Sequence, residues 1–245
     1  MSQHQPSAFS ASGAPIYRHQ QRNDVHIVSG NDETIQLVAD HVEKYIGPIS
    51  NVYHELISDV VHIDIFVVEP TPDRNYYTLV TCGMSELPMT VPEGAEEFRF
   101  AELMLCLPPD WKMSSEAFND ERNYWPIRWL KTLARLPHEY DSWLYIGHTI
   151  PNGDPAEWYA EDTELCGTLL GMPATVQPDF FSCQASADRT IYFYSVIPIY
   201  EEEMQFKLNE GIDPLYDKLS EAGVHELLDL KRDNTCKAKK RFWLF

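Results

Sequence analysis

The sequence is poor in basic residues: 19 Lys and Arg stand against 38 Asp and Glu, a net charge of −19 over 245 residues. That balance argues against a nucleic-acid binder, because phosphates must be neutralised by Lys and Arg. No apolar run approaches the roughly 20 residues that span a bilayer. The opening MSQHQPSAFSASGAPIYRHQQ also lacks the apolar stretch of a secretory signal. The five cysteines are odd in number, widely spaced and without a C-x-x-C. This disfavours a disulfide framework and a zinc knuckle, and reduced thiols in a cytoplasmic protein are the expectation. The 11 glycines are scattered, so no Gly-rich loop exists to cradle a phosphate. No cofactor signature is visible, and neither a repeat nor a shift in composition divides the chain.

What the sequence does hold is enough apolar material, 44% hydrophobic and 12% aromatic, to fill the core of one large domain. The polar residues 1–25 read as a flexible N-terminal arm, residues 30–235 as the domain, and 236–245 as a basic-aromatic tail ending KAKKRFWLF. Charge is segregated. Six basic residues crowd the last 15 positions, leaving 13 basic against 37 acidic groups before them, a net of −24. An acidic body favours fast encounter with a cationic partner, and serves solubility equally well. The tail could contact an acidic surface, a membrane surface or the protein's own body, or simply fray.

Apolar periodicity predicts a helix from Asp32 to Gly47-Pro48 and strands over 52–57, 62–68, 76–82 and 98–107. PTPDRN predicts a hairpin between the second and third strands. Asp120 caps a helix running to about Leu136. Segments 143–150 and 165–170 read as extended, residues 180–184 and 190–197 as a late hairpin, and 200–209 and 213–221 as helices, followed by a short apolar piece at 224–230. These elements predict a single α+β domain, with a mixed, mainly antiparallel sheet packed against helices.

The chemical candidates are scattered. Gly83-Met84-Ser85-Glu86-Leu87 departs from the G-x-S-x-G elbow of serine hydrolases, because Leu87 replaces the last Gly and Pro88 disfavours a helix there. Cys82 ends an apolar strand with no basic neighbour in sequence, the usual setting of an inert thiol. His62 and Asp64 form an H-x-D pair on one strand face. They could grip a metal with His54 or Glu55, or simply hydrogen-bond each other. His138-Glu139 and His148 have no two-ligand helical spacing. Glu201-Glu202-Glu203 fits the positive end of a helix dipole. Asp154, Glu157, Glu161, Asp162 and Glu164 form an acidic run around Trp158 and Tyr159 without the Gly of a calcium loop. It reads as a solvated face or as a surface for a cationic partner. An enzyme would need a dispersed site drawn from Cys82, Ser85, His62, Asp64, His148 and Glu102. A homodimer would cover Trp111, Trp158 or Trp243.

Several segments in order carry a family likeness. His62-Ile63-Asp64-Ile65-Phe66, Pro70-Thr71-Pro72, and Tyr77 through Ser85 with Pro88-Met89 come first. Phe98-Arg99-Phe100-Ala101-Glu102-Leu103, Trp125-Pro126 through Leu133-Ala134-Arg135, and Val224 to Leu230 follow. Together, over residues 30 to 235, they resemble the bacterial type of the suppressor-of-fused domain. The resemblance implies binding rather than catalysis. In animals the related protein clamps an extended peptide of a Hedgehog-pathway transcription factor as an added strand between two domains, and the likeness reaches the first of these. The animal family has an Asp after a Gly beyond the Leu-Ala-Arg helix, where this chain has Gly147-His148. Bacterial relatives imply an immunity protein that neutralises a toxin. The expected contact residues for a protein or peptide partner are His148, Asp154, Glu157, Trp158, Tyr159, Glu161 and Asp162, with Ser85 and Glu86 at the turn.

Overall fold

The structure, a computed structural model, describes residues 6–19, 31–54 and 61–237. In the first stretch, β1 (Ala8–Phe9) and β2 (Pro15–Ile16) form a two-stranded antiparallel hairpin. Ser12 at its tip donates its N–H to the Leu208 carbonyl at 3.0 Å. Asn31 caps α1 (Asp32–Tyr45) by accepting the Glu33 N–H at 3.0 Å.

The main sheet comprises β3 (Ile49–Tyr53), β4 (Asp64–Val68), β5 (Tyr77–Cys82), β6 (Phe100–Leu107), β7 (Thr149–Pro151), β8 (Gly167–Gly171), β9 (Ser182–Ser186) and β10 (Arg189–Ile199). Its order is β3-β4-β5-β6-β10-β8-β7, with β9 also on β10. All pairings are antiparallel except β6 with β10. The length of β10 lets it hold two partners on one side: β9 pairs up to Tyr192 and β8 pairs from Ser195.

Alternation along β4 sends Ile65 and Val67 to one face and Phe66 and Val68 to the other, and both faces are covered. On the first face, α2 (Glu121–Glu139) buries Trp125, Trp129 and Leu133. On the second, α1 buries Val38 and Val42. A third cluster joins α3 (Glu201–Glu210) and α4 (Ile212–Glu221) to β8 and β10 through Met204, Leu215, Leu169 and Ile197.

The α+β architecture, the β4–β5 and β9–β10 hairpins and all four main helices match expectation. Three local readings are corrected. The first main-sheet strand begins at Ile49 and ends at Tyr53, and the expected part beyond 54 lies outside the described residues up to position 60. Helix α2 continues through Pro137 to Glu139. Segment 143–148 is irregular, with a turn at Ile146–Gly147 where Gly147 has φ +84° and His148 N–H donates to the Tyr145 carbonyl, and only Thr149–Pro151 is strand. The piece 224–230 touches the sheet by a single parallel bridge from Leu227 to Cys106.

Candidate functional site

The turn after β5 is held from four directions. Glu102 on β6 is fully buried and accepts from Thr81 Oγ1 (2.6 Å), Gly83 N (3.0 Å), Ser85 N (2.9 Å) and Ser85 Oγ (2.7 Å). The His138 ring contacts the Met84 carbonyl at 2.9 Å, Arg189 donates to the Ser85 carbonyl at 2.6 Å, and Glu86 accepts the Asn31 N–H at 3.1 Å. Gly83 has φ +119°, and a Cβ there would lie 2.0 Å from the His62 carbonyl oxygen, so only glycine fits. Ser85 is therefore interior, with its hydroxyl proton directed to Glu102. Cys82 is buried, and burial, followed by the nearby Glu102 charge, pushes its thiol far above the usual range. The register sets Asp64 opposite Cys82, so the strands bring Cys82, Ser85, His62, Asp64 and Glu102 near one another, whereas His148 lies apart from them. They offer no accessible nucleophile.

At the junction of β3 and β4, Asp64 lies between two imidazoles. His54 Nδ1 is 3.0 Å from Oδ2, and His62 Nε2 is 3.0 Å from Oδ1.

The acidic run leaves β7 and returns to β8. Trp158 is 58% exposed, among exposed Glu157, Glu161 and Asp162. Arg18 pairs with Asp154 at 3.1 Å and Lys237 with Glu164 at 3.4 Å. Tyr159 is not a surface group. Its ring stacks on Trp125 at 4.5 Å, and its hydroxyl lies 3.0 Å from Thr168 Oγ1. His148, at the other end of β7, packs against Trp143 with ring centroids 4.9 Å apart. Burial and then the Lys207 ammonium lower its pKa to about 4, so it is a neutral imidazole at pH 7.

Beside His148 lies an aromatic patch that sequence reading missed. Phe98, Tyr145, Phe181 and Tyr192 are partly buried and linked by centroid distances of 4.7 Å (Phe98–Tyr145), 5.1 Å (Phe98–Tyr192) and 5.4 Å (Phe181–Tyr192). They surround Tyr194, whose fully buried hydroxyl has no hydrogen-bond partner among the described residues. The rings come from segments far apart in sequence, and the one local signal was the alternation of Tyr192 and Tyr194 on β10.

A two-faced mixed sheet with α1 on one side and α2 on the other, and a buried Glu under a Gly turn, defines an α+β scaffold. A cavity of about 60 Å³ lies between Pro198, Gly223, Leu228 and Arg232, and a more open one of about 370 Å³ is lined by Glu201, Glu202, Gln205, Phe206, Asn209 and Cys236. The family model for suppressor of fused protein (SUFU) matches residues 59–233, and the chain belongs to that family. Among solved structures it is similar to a putative SUFU homolog from Neisseria gonorrhoeae, with TM-score 0.61 and 18% identity, covering 85% of this chain and all of that one. It also resembles the structure of a Sufu–Fu complex, with TM-score 0.59 and 14% identity over 82% of this chain and 92% of that one. Drosophila Suppressor of Fused gives TM-score 0.55 and 13% identity over 82% of this chain, which spans 50% of the fly protein. No curated protein matches the chain by sequence.

Proposed function

We propose that this chain is a non-catalytic protein-binding domain whose partner, a protein or peptide, lies along β7 between His148 and the Asp154–Glu164 loop. The observation that carries the reading is Trp158, a large ring standing 58% exposed among acids beside the terminal strand of the main sheet. Exposed Trp residues are the commonest anchors of protein interfaces. Strand β7 pairs only with β8 among the described residues, so an extended segment could add to it through backbone hydrogen bonds. The aromatic patch beyond His148 supplies apolar contact. The charge around Trp158 selects a cationic partner, and within the family an immunity protein against a cationic toxin is the specific form of this reading.

The test is capture from the native cell with the intact chain, compared with Trp158→Ala and with Glu157, Glu161 and Asp162 all reversed to Lys. A protein held by the intact chain and lost by both variants supports the site. Equal retention by all three overturns it. The enzyme reading is weaker, because Cys82 and Ser85 are sealed inside and His148 stays neutral without a nucleophile to activate.

A further inference from the structure

The opposite end of the sheet carries a second constellation, independent of β7. His54 follows β3, His62 precedes β4, and Asp64 is the first residue of β4. One ligand-type atom from each lies within 4.8 Å of the others. Pairing of Tyr53 with Ile65 fixes the two strands at this point, so the cluster is set by sheet register rather than by chance proximity. We propose that His54, His62 and Asp64 form a site for one divalent transition-metal ion of the zinc class.

Two imidazole nitrogens and one carboxylate oxygen are a borderline donor set that suits zinc and its neighbours better than magnesium or calcium, which favour oxygen. Around a tetrahedral zinc with bonds of about 2.0–2.1 Å, ligand atoms stand about 3.3 Å apart. Each imidazole stands 3.0 Å from a different oxygen of Asp64, and one atom from each residue lies within 4.8 Å of the others, so an ion has to draw the set together by up to about 1.5 Å from that limit. The side chains differ in exposure: His54 is 67% exposed, His62 36% and Asp64 12%. A carboxylate fixed at the base and two more accessible imidazoles give an ion a route in from solvent. Lys131, buried on α2, also faces Asp64, and its positive charge opposes that of a metal ion. The bound ion ties the end of β3, an edge strand, to the start of β4.

The experiment uses the untagged full chain at pH 7.5, titrated with zinc chloride in a calorimeter. The expected result is one ion per chain and a raised melting temperature. His54→Gln and His62→Gln should each weaken binding by about 10-fold or more, at least the loss seen when a ligand's outer support is removed. His54→Gln is the decisive variant, because so exposed a residue can be changed without endangering the fold. Cobalt(II) in place of zinc should give the visible bands of a tetrahedral nitrogen–oxygen site. No zinc binding by the intact chain, unchanged affinity in both variants, or a thiolate-to-cobalt charge-transfer band that places the metal on cysteine would each overturn the proposal.

Discussion

Glu102 shows how a family marker can be structural. The stretch LVTCGMSELPM reads in sequence as a strand ending in a glycine turn, and it is one, but the reason for its residues lies 16 positions after Glu86. Glu102 gathers the Thr81 and Ser85 hydroxyls and the Gly83 and Ser85 amides, an arrangement no local spacing announces. Burial is the largest influence on this carboxyl. It outweighs the four hydrogen bonds and moves the pKa from the ordinary 4.5 up to about 7. A carboxyl raised in the folded state keeps a proton that the unfolded chain has released. Its contribution to stability is therefore full below pH 4.5 and is lost as pH climbs through 7. The size of that loss is roughly 3 kcal/mol from the shift alone. Glu102→Gln keeps the shape and cannot ionise, so its urea midpoint should fall less than that of the parent between pH 5 and pH 8. Parallel curves for the two proteins would remove Glu102 as the titrating group.

At the scale of elements, what was legible depended on whether the cause was local. Periodicity, a cap and a turn signal placed α1, α2 and the β4–β5 hairpin, because the Gly47-Pro48 stop, Asp120, the Trp125–Trp129–Leu133 stripe and PTPDRN act within a few residues. The parallel pairing of β6 with β10 joins segments about 90 residues apart and left no local trace. The aromatic patch is likewise a product of tertiary assembly, whereas His54, His62 and Asp64 are grouped from the sequence and meet across neighbouring strands. Glu203 illustrates the same limit. As the third of three acids opening α3, it reads as a response to the helix dipole, yet it is buried and grips Arg232 through contacts of 2.8 Å and 2.6 Å. Burial would raise its pKa, but the Arg232 guanidinium and the Tyr200 and Thr235 amides hold it below the ordinary value. A carboxyl depressed in this way contributes stability above its unfolded pKa that is lost as pH falls through the folded one. Arg232→Met leaves that carboxylate buried without its cation and should cost about 3–5 kcal/mol at pH 7. Adding Glu203→Gln to Arg232→Met should recover much of the loss in urea denaturation. If the single variant is as stable as the parent, the pair does not anchor the 232–235 segment to α3.

Across the whole molecule, charge decides how a partner would arrive. The first 230 residues carry a net of −24, and the exposed acids around Trp158 place part of that charge where the proposed contact lies. The basic residues near the C-terminus offset it only in part: Lys237 pairs with Glu164, whereas Glu157, Glu161 and Asp162 stay exposed. A long-range field of this sign accelerates association with a cationic protein and leaves dissociation, which depends on the packed contact, largely unchanged. The Debye length shrinks from about 10 Å at 0.1 M salt to about 3 Å at 1 M, so the acceleration is screened while the apolar contact persists. With a captured cationic partner immobilised on a sensor surface, the association rate should drop by about tenfold or more between low and high salt, and the dissociation rate should move far less. Reversal of Glu157, Glu161 and Asp162 to Lys should flatten that salt dependence, whereas Trp158→Ala should leave it intact and speed dissociation. This separation of the two variants tests steering by the acids and anchoring by the ring independently. A salt-insensitive association rate for the parent chain would reduce the acidic body to a role in solubility.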